Sequence, residues 1–458
     1  MTGIWMPVEH IVVFDMNNHR RTRRDFLKNA AAVTGAAASV PYFWTTAAAG
    51  EESKNDRMSV AAIGTSIYTD RYRGKGQHPG QGASIGHAAG ARGNMIAVAD
   101  VDRRHARFFA KEYDGRCEIY QDYRRVLDRQ DIDAVTVGTP EHSHVRIAID
   151  ALRAGKHVYC EKPLTLTIEE GQQICQVVEE TGMVFQVGTQ QRSEFKDAFL
   201  KAVVIARSGR LGEKLHVLSS VGEGARGVRS RTLSRRRNST GMRSRDKRQR
   251  CPTASSVAIL ITVGGSSMAA ARSRTGAFTT RTSPCGPWAW RIRALMKVAG
   301  VGDFPEVENG FSNAVSFDCT MKFAGDKSVR LYSGTNELII SGELGRIRVN
   351  RGGLAGKPIE ELTEQDHERT HEQILELRHG KRSGNHMMNF FDCIKDGGQP
   401  VSDVWSHHRS MSVCHLANLA MRLNRPLQWD PVQEDFVGDE EASALRSRPQ
   451  REPYVLDV

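Results

Sequence analysis

The residue best suited by type and position to do chemistry is Lys162, in the run Tyr159-Cys160-Glu161-Lys162-Pro163. A lysine at the end of a buried strand is partly desolvated, and desolvation lowers the pKa of an amine. Such an amine can exchange protons with a substrate hydroxyl. The alternative is a solvated surface lysine beside a proline, which is what most lysines in soluble proteins are.

A strand–helix–strand pattern is expected to place this lysine at the edge of a sheet. The predicted elements are a strand over 134–138, a helix over 145–154 and a strand over 155–160. The first strand runs into Thr139-Pro140-Glu141-His142-Ser143-His144. Because ligands bind at the carboxyl ends of strands in open α/β sheets, we expect this turn and Glu161-Lys162-Pro163 to face one crevice.

An earlier strand, over 59–64, is predicted to open a nucleotide-binding half. A standard turn would continue as G-x-G-x-x-G, but Gly64 is followed by a long polar loop, and the helix is expected only near Ala83. The glycines of that loop are Gly74, Gly76, Gly80 and Gly82. Backbone N–H groups after Gly64 are expected to meet a dinucleotide pyrophosphate. The predicted cofactor contacts in this turn are Gly64, Thr65, Ser66 and Ile67.

An acidic residue, Asp100, ends the second predicted strand, over 96–100. A carboxylate at this position binds the adenosine ribose hydroxyls in dinucleotide-binding folds, and its charge would favour NAD by repelling a 2′-phosphate. Arg103 and Arg104 follow at once and could accept that phosphate instead, so the sequence leaves NAD and NADP open. The alternative role for Asp100 is a helix N-cap.

Glu-Lys-Pro preceded by Thr-Pro-(x)3-His resembles the signature of the Gfo/Idh/MocA oxidoreductases, which are NAD(P)-dependent sugar and polyol dehydrogenases. The resemblance covers residues 57–222 and 300–452. It implies an α/β Rossmann domain followed by an α+β domain with a large, mostly antiparallel open sheet. It also implies NAD or NADP as cofactor, a sugar or polyol substrate and a homo-oligomer, and Lys162 is similar to the family's catalytic lysine.

The same resemblance implies further contacts in the crevice. The cofactor contacts expected from it are Thr139, Pro140, His144, Glu161 and Gln190. Arg192 could hold a substrate hydroxyl or carboxylate, or form a structural salt bridge. His144 could orient the ring or the substrate, or be a helix-capping or merely polar histidine.

The second half of the chain alternates apolar and polar residues from 311 to 349, which predicts an antiparallel sheet. A strand is expected from Leu215, and amphipathic helices over 386–394 and 409–423. The predicted organisation is an export-signal region over 1–50, a dinucleotide-binding domain over 57–195, a substrate and oligomerisation domain over 196–435, and a tail over 436–458.

The net charge of +11 suggests a nucleic-acid or membrane partner, but 226–297 alone carries +16, leaving −5 on the rest. We therefore expect no nucleic-acid partner. The eight cysteines show no regular spacing, so no metal site or disulfide framework follows and buried single thiols are expected. They are Cys117, Cys160, Cys175, Cys251, Cys285, Cys319, Cys393 and Cys414.

The amino-terminal region has the features of an export signal. Thr22-Arg23-Arg24-Asp25-Phe26-Leu27-Lys28 fits a twin-arginine export signal, an alanine-rich stretch follows over 30–40, and Ala47-Ala48-Ala49 offers a cleavage site. The apolar stretch is too short to span a membrane. Met16 is a plausible start. We expect a periplasmic protein that keeps its dinucleotide bound and recycles it with a second substrate. The alternative to an export signal is that this segment forms a basic amphipathic helix.

The segment 226–297 holds 15 Arg and 2 Lys against a single acid, Asp246. It is either a basic linker or RNA-binding arm, or a frame slip in the coding sequence. If the codons for 257–297 are read one nucleotide early, they can encode a sequence that contains Trp-Gly-x-His-His-x-Asp. This sequence is similar to the family's catalytic histidine segment. The Met268/Ala269 and Trp288/Ala289 junctions then force glycine, and Met296/Lys297 forces glutamate. We favour the slip, since long structureless loops inside domains are rare.

As written, the chain has no residue to take the role of the family's histidine and aspartate. Phe278 and Thr279 occupy that stretch and cannot act as a base. We therefore expect the chain as written to fold poorly around 226–297 and to have little activity. The leading hypothesis is a sugar or polyol dehydrogenase. A catalytically dead nucleotide- or sugar-binding protein on the same fold is the alternative, and a nucleic-acid-binding protein rests on 226–297 alone.

Overall fold

A computed structural model of the protein describes residues 57–69, 77–223, 296–304, 314–450, 452 and 455–456. Several sequence-based predictions lie outside these residues. They are the twin-arginine signal, the start at Met16, the loop glycines Gly74 and Gly76, and the segment 226–297 except for Met296 and Lys297.

The amino-terminal half is built from eight short strands in its described part. They are β1 (Ser59–Ile63), β2 (Ile67–Thr69), β3 (Gln77–Pro79), β4 (Asn94–Ala99), β5 (Glu118–Tyr120), β6 (Ala134–Val137), β7 (His157–Cys160) and β8 (Phe185–Val187). Six of them form a parallel sheet in the order β5-β4-β1-β6-β7-β8. β1 and β6 are apolar and almost entirely buried, as expected for parallel strands covered on both faces.

Helices connect these strands and cover both faces of the sheet. They are α1 (Gln81–Gly90), α2 (Arg103–Ala110), α3 (Arg124–Leu127), α4 (His144–Arg153) and α5 (Ile168–Thr181). α6 (Ala198–Arg207) then leads into the second half. The predicted Rossmann arrangement is confirmed.

Three glycines allow β1, α1 and β6 to approach one another at the carboxyl end of the sheet. A Cβ on Gly82 would come within 2.0 Å of the Gly64 carbonyl oxygen and 2.7 Å of that of Gly138. A Cβ on Gly138 would lie 2.3 Å from the Gly82 Cα, and Gly64 has a φ of +80°. Backbone meets backbone here, so only glycine fits at these positions.

The helix expected near Ala83 after the polar loop begins two residues earlier, at Gln81. β2 and β3 pair antiparallel as a hairpin, and the Gly80 N–H donates to the Ser66 carbonyl oxygen at 2.7 Å. The hairpin is therefore closed at its base, and α1 begins at Gln81.

The second half is described from β9 onward. Its strands are β9 (His216–Val221), β10 (Met296–Asp303), β11 (Ser316–Phe323), β12 (Lys327–Ser333), β13 (Glu337–Gly342), β14 (Gly345–Asn350), β15 (Gly353–Ala355), β16 (Leu427–Asp430) and β17 (Asp435–Phe436). They form one sheet in the order β15-β14-β13-β9-β12-β11-β10-β16-β17. Only the β9–β12 pair among these is parallel, so the predicted, mostly antiparallel sheet is confirmed.

Helices of the second half lie against this sheet or against the first domain. They are α7 (Lys357–Glu360), α8 (Glu364–Leu377), α9 (His386–Asp396), α10 (Val404–Leu423) and α11 (Glu440–Ala444). α10 begins five residues before the predicted Arg409. Two polar residues near its start, His407 and His408, are buried, and Asp403 caps it by accepting from the Ser406 N–H. Hydrophobic periodicity alone could not reveal this start.

The first domain in the structure includes residues that lie outside the sequence range predicted for it. Met387, Phe390 and Phe391 of α9 belong to the apolar cluster on one face of the parallel sheet, together with Val60 and Tyr159. At the edge of that sheet, the Val187 N–H donates to the Ser402 carbonyl oxygen at 2.9 Å. The first domain is therefore completed by residues that were assigned to the second.

The segment predicted as a tail is part of the fold. Asp435 and Phe436 form β17, so the expected boundary at 435/436 cuts through a strand. Farther on, Arg448 pairs with the buried Glu170 of α5 at 2.8 Å, and Leu456 packs against the other apolar face of the Rossmann half. The chain thus returns to its first domain.

Within the described residues, no helix is both long and apolar enough to cross a membrane, and no cluster of His, Cys, Asp or Glu could hold a metal ion. The six cysteines in the described part are all free and buried, as expected. They are Cys117, Cys160, Cys175, Cys319, Cys393 and Cys414.

Gly82→Ala should destabilise the protein because its methyl group meets two carbonyl oxygens that belong to backbone and cannot move aside. We expect a loss of about 1–3 kcal/mol in the free energy of unfolding, measured as a lower midpoint in urea. Gly384→Ala is the control, since nothing lies within 4 Å of a Cβ there. Equal midpoints for the two variants would refute the close approach.

Candidate active site

A buried carboxylate, Glu161, lies at the carboxyl end of β7 and is 3% exposed. Its Oε1 accepts hydrogen bonds from the side-chain amides of Gln81 at 3.0 Å and Gln190 at 3.2 Å. Its Oε2 accepts from the Lys162 backbone N–H at 3.1 Å. A carboxylate removed from water is costly unless such donors surround it, so Glu161 fixes three separate segments around itself.

The amine of Lys162 lies beside this carboxylate. Its Nζ is 4.0 Å from Glu161 Oε2, and 24% of the lysine side chain is exposed. The amine therefore stands between a buried negative charge and the solvent side of the crevice. An amine in this position can hold an oxygen atom of a ligand and carry a proton to or from it. The structure thus brings together Lys162, Glu161 and Gln190.

Three residues of this arrangement were not predicted. They are Gln81, Tyr159 and Gly188. The Tyr159 hydroxyl is 3.4 Å from Gln190 Nε2, and full burial raises the pKa of this phenol well above its usual range, which keeps it a neutral partner. A Cβ on Gly188 would lie 2.7 Å from Glu161 Oε1. Gly188, which directly follows β8, could have indicated this close approach from the sequence. The polar loop before Gln81 gave no sign that this residue contributes to the site.

One histidine ring joins the turns after β6 and β7. His144 is 1% exposed, with Nδ1 2.8 Å from the Pro163 carbonyl oxygen and Nε2 2.7 Å from the Thr139 carbonyl oxygen. Both ring nitrogens lie beside backbone carbonyl oxygens, which gives His144 a structural role, and its contact with cofactor or substrate stays a prediction. The two turns were expected to face one crevice, and this ring ties them together. The Lys162–Pro163 peptide is cis.

The turn after β1 is held by Asp100. Its Oδ2 accepts from the Thr65 N–H at 2.8 Å, and its Oδ1 accepts from the Asp102 N–H at 2.9 Å. The expectation that the Thr65 amide meets a pyrophosphate is therefore corrected, because that N–H already has an acceptor. The N-cap alternative for Asp100 was wrong as well, since Asp102 caps α2 by accepting from the Arg104 N–H.

The two arginines after Asp100 differ in their surroundings. Arg104 donates through Nε to Asp102 at 3.0 Å, and this guanidinium lowers the pKa of the Asp102 carboxyl to about 2. Arg103 is exposed. Of the two side chains expected to compete for a 2′-phosphate, Arg104 is thus already engaged by a carboxylate.

The amino terminus of α1 fits the phosphates of a dinucleotide. Its N-cap residue is Gly80, which makes no side-chain cap bond, and the first amides of a helix have no partner within the helix. These N–H groups and the positive end of the helix dipole attract anions. The residues present at this helix terminus therefore fit the phosphates of a dinucleotide.

The other predicted cofactor contacts surround the same turn. Gly64 touches Thr139, because a Cβ on it would lie 2.6 Å from the Thr139 methyl group. The Thr139 hydroxyl accepts from Ser143 Oγ at 2.9 Å. Ser66 and Pro140 are exposed, and Ile67 begins β2. Their contact with a cofactor stays a prediction.

Arg192 is buried away from the crevice mouth. Its Nη1 donates to the Val401 carbonyl oxygen at 3.0 Å and to Ser406 Oγ at 2.6 Å, and the residue is 5% exposed. Desolvation lowers the pKa of this guanidinium to about 10. The structure therefore gives Arg192 a role in joining β8 to the start of α10, with hydrogen bonds in place of the expected salt bridge, and corrects the substrate contact proposed for it.

Two family models match the chain. Residues 58–189 match the oxidoreductase family with an NAD-binding Rossmann fold, and residues 371–456 match the C-terminal α/β domain of the same family. The first segment includes the crevice residues Glu161 and Lys162, and the second includes α9 and α10.

Curated relatives are similar over about a quarter of the chain. The scyllo-inositol 2-dehydrogenase (NAD(+)) of Bacillus subtilis is 34% identical over 122 residues, which is 27% of this chain and 35% of the relative. The inositol 2-dehydrogenase of Salmonella typhimurium is 27% identical over 124 residues, again 27% of this chain and 36% of the relative. The match thus spans about a third of the length of these relatives.

Solved structures share the fold over most of the described chain. The aldose-aldose oxidoreductase of Caulobacter crescentus, complexed with glycerol, covers 81% of this chain and 99% of its own, with a TM-score of 0.53 and 16% identity. The WlbA dehydrogenase of Bordetella pertussis, in complex with NADH and UDP-GlcNAcA, covers 81% and 97%, with a TM-score of 0.54 and 14% identity. Two separate segments of the chain, residues 58–189 and 371–456, thus match the models of the two domains of the Gfo/Idh/MocA oxidoreductase family.

Proposed function

We propose that this protein is an NAD-dependent oxidoreductase that acts on a carbinol carbon of a sugar or polyol. The observation that carries the proposal is the amine of Lys162 beside the buried Glu161, at the carboxyl end of a Rossmann strand. The inositol dehydrogenases among the relatives support a polyol substrate.

The protein's own residues divide the work in this proposal. A bound nicotinamide would supply the hydride acceptor or donor. Lys162 hydrogen-bonds the reacting oxygen, takes its proton when the carbinol is oxidised and returns one when the carbonyl is reduced. Glu161 attracts the amine, and Gln81 and Gln190 hold that carboxylate in one orientation.

A partner for Lys162 is missing from the chain as written. We propose that a frame slip replaced a Trp-Gly-x-His-His-x-Asp segment within 226–297, whose basic composition differs from the rest of the chain. If the sequence is genuine, a nucleotide- or sugar-binding protein without turnover is the second candidate. Bound nucleotide with no hydride transfer would distinguish it.

The twin-arginine motif at Arg23-Arg24 supports export of a folded protein with its cofactor. We propose a periplasmic location, where a tightly held dinucleotide is recycled by a second substrate. A mature protein purified from the periplasm should then contain nucleotide, and weak, reversible binding would count against this arrangement.

Lys162→Met, made in a chain with the corrected reading frame, should lower kcat with inositol isomers by about 10²–10⁴-fold, because the proton carrier is lost. NADH absorbance at saturating substrate measures the rate, and fluorescence titration should show NADH binding unchanged. Lys111→Met, at an exposed lysine in the Rossmann half, is the control and should keep full activity. Undiminished turnover in Lys162→Met would overturn the assignment.

Asp100→Asn should shift cofactor preference towards NADP, because it removes the negative charge that would repel a 2′-phosphate. We expect the ratio of the NADP and NAD dissociation constants to fall about tenfold, or about 1.4 kcal/mol. One of the two accepted hydrogen bonds is lost, so the thermal midpoint is measured alongside. Asp128→Asn, an exposed aspartate, is the control, and an unchanged ratio would contradict the ribose contact.

Restoring the reading frame across codons 226–297 should raise turnover about a hundredfold or more, since a base or orienting group opposite Lys162 returns. Sequencing the coding DNA tests the slip directly. Rates of NADH formation in the two chains then test the consequence. Robust turnover by the chain as written would show that 226–297 is genuine and that the missing histidine segment is not required.

A further inference from the structure

A cavity of about 460 Å³ lies in the second half of the chain, outside the crevice. It is bordered by the start of α6, the turn between β14 and β15, α7 and α8. Neither Glu161, Lys162 nor Gln190 lines it. Its volume falls in the range of small-molecule sites, about 300–1,000 Å³.

The cavity combines an apolar wall with positive charge. Six apolar side chains line it: Phe195, Ala198, Ile205, Leu354, Ile359 and Leu362. Lys196, Lys201 and Arg351 also line it, together with His367. No carboxylate is among the described residues of its lining, so the wall presents three full positive charges.

Lys196, Lys201 and Arg351 are exposed, and within the described part of the chain none of them has an ion-pair partner. Among the described residues, no carboxylate oxygen lies within 4.0 Å of the charged nitrogens of Lys196, Lys201 or Arg351. Arg351 instead stacks over the Phe195 ring, 5.5 Å from its centroid. The nearest acid in sequence, Glu194, is close enough to Arg351 to feel its charge, yet burial raises the pKa of that carboxyl.

The mouth of the cavity is formed by a strained segment. Phe195, Lys196 and Asp197 have φ values of +60°, +55° and +60°, three consecutive non-glycine residues in the left-handed region. Each such residue costs about 1–3 kcal/mol and persists only where surrounding contacts enforce it, often at ligand sites. Here Arg378, 7% exposed, pairs with Asp197 and donates to the Ser193 carbonyl oxygen at 3.3 Å.

We propose that this cavity binds a small organic anion: a carboxylate or phosphate ester with an apolar body. The body lies against Phe195 and Leu354, and the charge is neutralised by Lys196, Lys201 and Arg351. A neutral polyol would gain less from the apolar wall and the three exposed cations than an anion with an apolar body. Because its lining includes none of Glu161, Lys162 and Gln190, the cavity is a separate site from the crevice. The segment 193–197 that shapes it follows directly after Gln190–Arg192 at the crevice.

The test uses 4-phenylbutyrate as probe and its neutral amide as the matched ligand, with the full-length chain. Saturation-transfer NMR should detect the acid, and the amide should bind at least about fivefold more weakly because the charge contribution is lost. The double variant Lys201→Glu/Arg351→Glu should weaken the acid by about tenfold or more. NADH should not displace the probe.

Arg369→Glu is the control variant, because Arg369 is exposed on α8 but does not line the cavity. It should leave probe binding unchanged, and circular dichroism should show equal folding of all variants. Equal binding of acid and amide, displacement by NADH, or equal loss in the control and the double variant would each overturn the proposal. Since none of these readouts measures turnover, a failure here is separate from a failure of the dehydrogenase assignment.

Discussion

The arrangement of the candidate site depends on keeping one carboxylate, Glu161, buried and fully hydrogen-bonded. Burial of a charge is tolerated only when donors replace water, and the donors come from α1, from the Gln190–Arg192 turn and from the peptide of Lys162. The need for these donors links α1, whose Gly82 packs against Gly64 and Gly138, to Lys162, the residue proposed to act on substrate. Gly188 has no side chain, so this donor set can close around the carboxylate without a clash.

Much of the fold could be predicted because its signals are local. Buried apolar runs gave the parallel strands, and alternation gave the antiparallel sheet. What local patterns could not give is which distant residues cover which face. Met387 and Phe390 read only as one side of an amphipathic helix, yet they pack on the Rossmann sheet. The start of α10 was missed because two polar residues near it, His407 and His408, interrupt the apolar pattern but are buried in the fold.

The candidate site was predictable where motif residues follow strands directly, as Glu161 and Lys162 do. It was not predictable where the role of a residue depends on which hydrogen-bond partners the fold brings to it. His144 and Arg192 looked able to bind ligands, but His144 lies between two backbone carbonyl oxygens, and Arg192 is buried with Nη1 bonded to Val401 and Ser406. Gln81 lies after an inserted hairpin, and only three-dimensional closure of that hairpin brings its amide to Glu161.

The late position of α9 in the sequence also affects how the first domain folds during synthesis. The parallel strands leave the ribosome first, while Met387, Phe390 and Phe391 follow only in the last fifth of the chain. Until then only α1 and α2 can cover this side of the sheet, and the apolar surface that later packs against α9 is left open. A chain that stops before α9 at a premature codon would keep that apolar surface uncovered and would be prone to aggregate.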